Sequence, residues 1–183
     1  MEQIPNIITV LRMFAILPIC WLLWQDAFVP AIYCLIFAGL SDGLDGFLAR
    51  RYGWATRLGA MLDPLADKLF IVSIMLLFGA KGYLPEWLVL LALGRDCIIV
   101  GGAILYRYIT GTLEMRPLLI SKLNTACQIL LLLMMLLHVG FSPLSSGVIL
   151  GLQALVTITT VFSGFAYVYW WTYYVLHRKE VSV

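Results

Sequence analysis

Six long apolar runs, near residues 8–24, 29–48, 58–80, 86–106, 122–139 and 147–174, decide what this chain can become. They stand out by continuity rather than by a two-residue or helical period, the pattern of helices that meet lipid on most sides. A helical span of the hydrocarbon layer takes about 20 residues, so a chain of 183 residues has room for about six spans joined by short connections. Composition agrees: 62% of residues are hydrophobic and 12% charged, whereas a soluble domain is about 45–50% apolar and about a quarter charged. The expected fold is an all-α integral membrane protein, one domain over residues 1–183, with six transmembrane helices and no separate soluble domain.

The runs are separated by "WQDAFVP", "ARRYGWATR", "AKGYLPEW", "RYITGTLEMRP" and "HVGFSPLSSG", each holding the Gly, Pro or polar residues that punctuate helices. Most Lys and Arg fall in the second and fourth breaks and in the C-terminal "HRKE"; the other breaks contribute only Lys81. The positive-inside rule therefore puts the basic breaks and both termini in the cytoplasm, consistent with an even number of spans. The opening "MEQIPNIITVLR" lacks a basic n-region and a small-residue cleavage site, so the first run is expected to be retained. Asn6, Thr9 and Arg12 interrupt it. An N-terminal interfacial helical segment turning into the first span at about Pro18 would keep those groups wet. Cys20, Cys34, Cys97 and Cys127 lie in apolar segments without CxxC spacing and read as small packing residues. "YVYWWTYY" reads as an interfacial aromatic belt. The net charge of +2 carries no signature of nucleic-acid binding, and none is expected.

Against this background "SDGLDGFLARRYGWATRLGAMLDPLADK" is anomalous, because it holds Asp42, Asp45, Asp63 and Asp67. One Asp at the centre of a membrane helix costs about 2.5–3.5 kcal/mol on the insertion scale. Four at that depth would cost as much as a whole domain's stability. Asp42 and Asp45 are three apart near the end of the second run, and Asp63 and Asp67 four apart near the start of the third. Both spacings put side chains on one helix face. A short basic break makes the two helices antiparallel neighbours, so the carboxylate pairs can converge at the cytoplasmic end. Hard oxygen donors in that number suit Mg²⁺ or Mn²⁺, and two ions about 4 Å apart would offset the mutual repulsion. Gly43, Gly46, Ala49 and Gly59 leave room for a flat ligand, and Arg50 follows the acids closely enough to meet a phosphate.

Metals, a cation and small residues at a membrane surface suit a phosphate-bearing amphiphile. The pattern Asp42-x2-Asp45-Gly46-x2-Ala49-Arg50-x8-Gly59-x3-Asp63-x3-Asp67 resembles the signature of the CDP-alcohol phosphatidyltransferases. The opening "IPNIITVLR" and the six runs extend the resemblance over nearly the whole chain. It implies metal-dependent transfer of a phosphatidyl group from CDP-diacylglycerol to an alcohol, with release of CMP. It assigns the metal to Asp42, Asp45, Asp63 and Asp67, and makes Asp67 also the catalytic base that takes the acceptor's proton. Donor binding would fall to Asn6, Thr9, Gly46, Ala49, Arg50 and Gly59. A homodimer is a further expectation from the family.

A second block concerns the acceptor. "GRDCIIVGGAILYRY" and "RPLLISKLNTACQ" resemble the corresponding stretches of mitochondrial-type cardiolipin synthases through Arg95, Asp96, Arg107, Pro117, Ser121, Lys122, Asn124, Thr125 and Gln128. Phosphatidylglycerophosphate synthases are close relatives that tend to carry Glu where this chain has Asp96. The expected acceptor is phosphatidylglycerol, with glycerol 3-phosphate as the alternative. Both carry phosphate, and Arg95, Arg107, Arg116 and Lys122 are the candidate acceptor-binding cations. For Arg95 and Asp96, inside an apolar run, a structural role behind the site is an equal expectation; a basic loop on anionic lipid heads would account for Arg116 and Lys122 without substrate. A small ion or proton transporter would also place acids in a polytopic chain. It would tend to show paired repeats and polar sites at the midplane, which are not evident here. The expected setting is a bacterial inner membrane, with the active site at the cytoplasmic face.

Overall fold

The computed structural model describes the backbone of residues 4–52, 57–110 and 119–177, and side chains over 14–41, 66–105, 107–108 and 119–173. Its helices in chain order are α1 (Ile4–Trp24), α2 (Phe28–Tyr52), α3 (Arg57–Ala80), α4 (Glu86–Thr110), α5 (Leu119–Gly140) and α6 (Ser146–His177). Each contains one of the six apolar runs. Among the described residues, three stretches are long and apolar enough to cross a membrane: Glu86–Leu105, Leu119–Gly140 and Ser146–Tyr173. Phe14–Trp24 and Phe28–Ser41 are shorter apolar stretches. Large apolar side chains such as Trp21, Phe37, Leu90 and Phe162 point outward, an arrangement that water would penalise and hydrocarbon does not.

Two compact units make up the chain: Met1–Tyr83 with Met134–Pro143, and Leu84–Leu133 with Leu144–Val183. In the first, α1 packs on both α2 and α3, with Ile19, Leu23, Ala31, Ile74, Met75 and Phe78 buried. The helical backbone of α1 runs through Pro18 without a break. Proline lacks one amide donor and crowds the preceding turn, a defect that membrane helices tolerate because neighbouring groups satisfy the freed carbonyl.

The C-terminal ends of α1 and α3 share one solution to their unsatisfied carbonyls. Asp26 takes a left-handed φ of 58° and Gly82 one of 76°. Ala27 N–H donates to the Leu22 carbonyl and Asp26 N–H to Leu23; Tyr83 N–H donates to Phe78 and Gly82 N–H to Gly79. Both sets are Schellman caps. Lys81 Nζ then crosses to α1, donating to the Trp24 carbonyl at 2.7 Å and pairing with the Asp26 carboxylate. Tyr83 OH donates to the same carboxylate at 2.9 Å, and its ring stands edge-on to Phe28 and Phe78. A cation at a helix C-terminus is favoured by the helix dipole. Lys81, the lone cation of the non-basic breaks, is thus a helix cap.

In the second unit α4 packs on α6. A Cβ on Gly102 would collide with the six-membered ring of Trp171, so glycine is what lets α4 approach that indole. Tyr167 is buried, with its ring centroid 5.6 Å from that of Trp171, whereas Tyr169 and Tyr173 stack on the exposed side at 6.4 Å. The aromatic C-terminal stretch, expected as a uniform belt, is therefore split by helical phase into a packing edge and an outward edge. Cys34 and Cys97 are exposed, and Cys20 and Cys127 half-buried. The expectation of packing cysteines therefore suits the second pair and not the first.

Candidate active site

Backbone placement distributes the motif over consecutive helices. Asp42, Asp45, Gly46, Ala49 and Arg50 fall in the C-terminal half of α2, Gly59, Asp63 and Asp67 in the first turns of α3, and Asn6 and Thr9 in α1. The helical registers make Asp42 and Asp45 neighbours on one face of α2, and Asp63 and Asp67 neighbours on one face of α3. Of these residues only Asp67 has a described side chain, and it is exposed. The side-chain roles expected for Asn6, Thr9, Asp42, Asp45, Gly46, Ala49, Arg50, Gly59 and Asp63 lie outside the described residues, as does Arg116 altogether. Among the described residues no group of three or more His, Cys, Asp or Glu gathers to hold a metal. The motif itself offers carboxylate oxygens only, without thiolate or imidazole, and such a donor set fits Mg²⁺ or Mn²⁺.

The second block is described in more detail. Arg95 on α4 is only 4% exposed. Its Nε donates to Ser163 Oγ on α6 at 3.1 Å, Nη1 to Asp96 at 2.7 Å, and Nη2 to Ser121 Oγ on α5 at 2.6 Å and to Ser163 Oγ. One guanidinium therefore ties three helices together. Of its five N–H bonds, four point at these partners, a geometry that serves the structural one of the two roles expected of Arg95, the other being acceptor binding. Arg107, in the last turn of α4, and Lys122, in the first turns of α5, are exposed and free of that constraint.

One turn further along α5, Asn124 Oδ1 accepts from Thr159 and Thr160 of α6, each at 2.9 Å. Asn124 and Gln128 are fully buried, yet Asn124 Nδ2 and both polar atoms of the Gln128 amide have no hydrogen-bond partner among the described residues. A buried polar atom left unmet costs about 1–3 kcal/mol. The α6 partners Thr159, Thr160 and Ser163 were not singled out from the sequence. Their signal was present, since "VTITTVFSG" sets four hydroxyls inside the longest apolar run, where each must find an acceptor.

An apolar helical chain whose acidic, glycine-containing motif bridges two consecutive helices has the makings of a membrane-embedded transferase. The chain belongs to the CDP-alcohol phosphatidyltransferase family, whose pattern matches residues 2–166. All eight motif positions, and the second block through Gln128, lie inside that match. It is 34% identical over 185 residues to the chloroplastic CDP-diacylglycerol–glycerol-3-phosphate 3-phosphatidyltransferase 1 of rice, covering 90% of this chain and 56% of that one. It is 30% identical over 198 residues to the CMP-forming cardiolipin synthase of Homo sapiens, covering 98% and 63%. A provisionally named cardiolipin synthase of Mycobacterium tuberculosis is 38% identical over 100 residues, covering 54% and 47%. The chain thus spans about half to two thirds of the length of these relatives.

Proposed function

We propose that this protein transfers the phosphatidyl group of CDP-diacylglycerol to phosphatidylglycerol, forming cardiolipin and releasing CMP. The motif from Asp42 to Asp67 carries the reading: it lies within the family match, with its carboxylates at helix-face spacings on α2 and α3. The human relative supports the acceptor by its name, and the rice relative supports glycerol 3-phosphate as second choice by its own.

In this reading Asp42, Asp45, Asp63 and Asp67 would hold two divalent ions. When bound, Mg²⁺ or Mn²⁺ supplies neutralising charge at the donor pyrophosphate and the CMP leaving group. The exposed Asp67 carboxylate accepts the proton of the acceptor hydroxyl; the freed oxygen bonds the phosphatidyl phosphorus as its bond to CMP breaks. Asn6, Thr9 and Arg50 orient the donor, and Gly46, Ala49 and Gly59 flank the cytidine. Arg107, Arg116 and Lys122 meet the phosphate of the acceptor. All six helices span or enter the membrane, the segment before Pro18 lies at the interface, and the basic breaks set the site at the cytoplasmic face. The bacterial inner membrane remains the proposed setting. The mycobacterial relative is bacterial, whereas the rice and human relatives, which are eukaryotic, speak against that setting. A homodimer completes the proposal.

The test is a product assay on purified protein with labelled CDP-diacylglycerol, phosphatidylglycerol and glycerol 3-phosphate being supplied separately. Cardiolipin and CMP from phosphatidylglycerol are expected, abolished by chelator and restored by Mg²⁺ or Mn²⁺. Phosphatidylglycerophosphate from glycerol 3-phosphate, with no cardiolipin at high phosphatidylglycerol, would reverse the acceptor. Full turnover in excess chelator would overturn the metal assignment.

A further inference from the structure

Ser121, Asn124 and Gln128 recur along one face of α5 at spacings of three and four. The first is engaged by Arg95 and the second by the two threonines of α6. Gln128 continues the row, is 1% exposed, and has neither its amide oxygen nor its amide nitrogen engaged among the described residues. The nitrogen of Asn124, a residue with 0% exposure, is in the same position. Interchanging the oxygen and nitrogen of either amide, the usual ambiguity for these groups, leaves the number of unmet atoms unchanged. Hydrocarbon cannot answer them.

We propose that this row is an internal hydration site, in which ordered water bridges the Asn124 and Gln128 amides inside the second unit. Side chains at i and i+4 lie on one helix face with Cβ atoms about 5–6 Å apart, which lets both amides reach shared water through hydrogen bonds of about 2.8 Å. Buried waters make about three such bonds to groups that otherwise lack partners. One water accepts from Asn124 Nδ2 and donates to Gln128 Oε1, and a second accepts from Gln128 Nε2 and donates to the first, which thereby makes three bonds. The water completes a polar seam that begins at Arg95 and Ser121, at a point where no described residue supplies a partner. The site is independent of which alcohol the enzyme uses.

The experiment uses the full chain in detergent micelles, with side-chain amides labelled with ¹⁵N. Long-lived water cross-peaks are expected on the Gln128 and Asn124 amide protons, unlike those of the exposed Gln25. Gln128→Leu should remove the Gln128 signals and also the water cross-peak of Asn124. No water contact at Gln128 in the unaltered protein would overturn the proposal, as would a direct Asn124–Gln128 amide contact in place of water. Persistence of the Asn124 water signal at full intensity in Gln128→Leu would overturn the bridge. The first measurement needs no variant, so it decides even if the substitution unfolds the chain.

Discussion

Replacing Arg95 by alanine tests whether this arginine holds helices or substrate. The substitution removes a guanidinium that is 4% exposed together with its four hydrogen bonds to Ser121, Ser163 and Asp96. Its ion-pair partner Asp96 is 13% exposed. Breaking a buried pair from one side costs about 3–5 kcal/mol. For a chain of this size each kcal/mol moves the midpoint by about 2–4 °C, so the melting temperature in detergent should fall by roughly 6–20 °C. Ser163→Ala, which removes an acceptor shared by two of the bonds, should cost less, about 1–3 kcal/mol. Arg95→Lys keeps the charge but not the fork that reaches three helices, and should recover only part of the loss. The assay is thermal unfolding followed by tryptophan fluorescence, with KM measured for each substrate on the folded fraction. A variant that melts with the wild type but shows a raised KM for the acceptor alone would refute the reasoning, and would make Arg95 a substrate ligand.

Other outcomes follow from single residues. Asp67→Asn should leave CDP-diacylglycerol binding largely intact, by equilibrium binding of labelled donor, while CMP release stops, because the amide keeps the size but cannot take a proton. Gly102→Ala should destabilise by about 1–3 kcal/mol by forcing a methyl into Trp171, whereas Gly101→Ala, which meets nothing within 4 Å, should be neutral or slightly stabilising in the same melt. Hydrogen bonds from Lys81 and then Tyr83 hold the Asp26 carboxyl below its usual pKa. Its contribution is therefore complete above the unfolded carboxylate range near pH 4 and is lost as pH falls through the lower folded value. Lys81→Met should remove most of that acid-side dependence from a pH series of melting temperatures.

The helices among the described residues, and most of their bounds, were legible because uninterrupted apolar length marks each of them. The third and fourth runs, expected at 58–80 and 86–106, appear as Arg57–Ala80 and Glu86–Thr110. The pairing of carboxylates at three and four residues was legible too, since local spacing fixes a helix face without tertiary information. Pro18 does not end the helix, because a membrane helix tolerates a proline when neighbouring groups satisfy the freed carbonyl. What the sequence withheld was long-range. Nothing local to Arg95 names Ser163, 68 residues away, and nothing in "YVYWWTYY" says that Trp171 turns inward to meet a glycine on α4 while Tyr169 turns outward. Those outcomes depend on which helix lies beside which, a choice the apolar runs leave open.

The cap that Lys81 places on α1 also has a consequence in time. The cation lies 57 residues beyond the Trp24 carbonyl it satisfies. During synthesis from the N-terminus, α1 and α2 are complete before this partner exists. Until residue 81 has left the ribosome and α3 has come alongside, the end of α1 has its Schellman turn but not its counter-charge. The end of α1 can therefore reach its fully capped state only once α3 is in place. The chain between Asp42 and Asp67 is made within that interval, so the acidic motif is complete before its scaffold is locked.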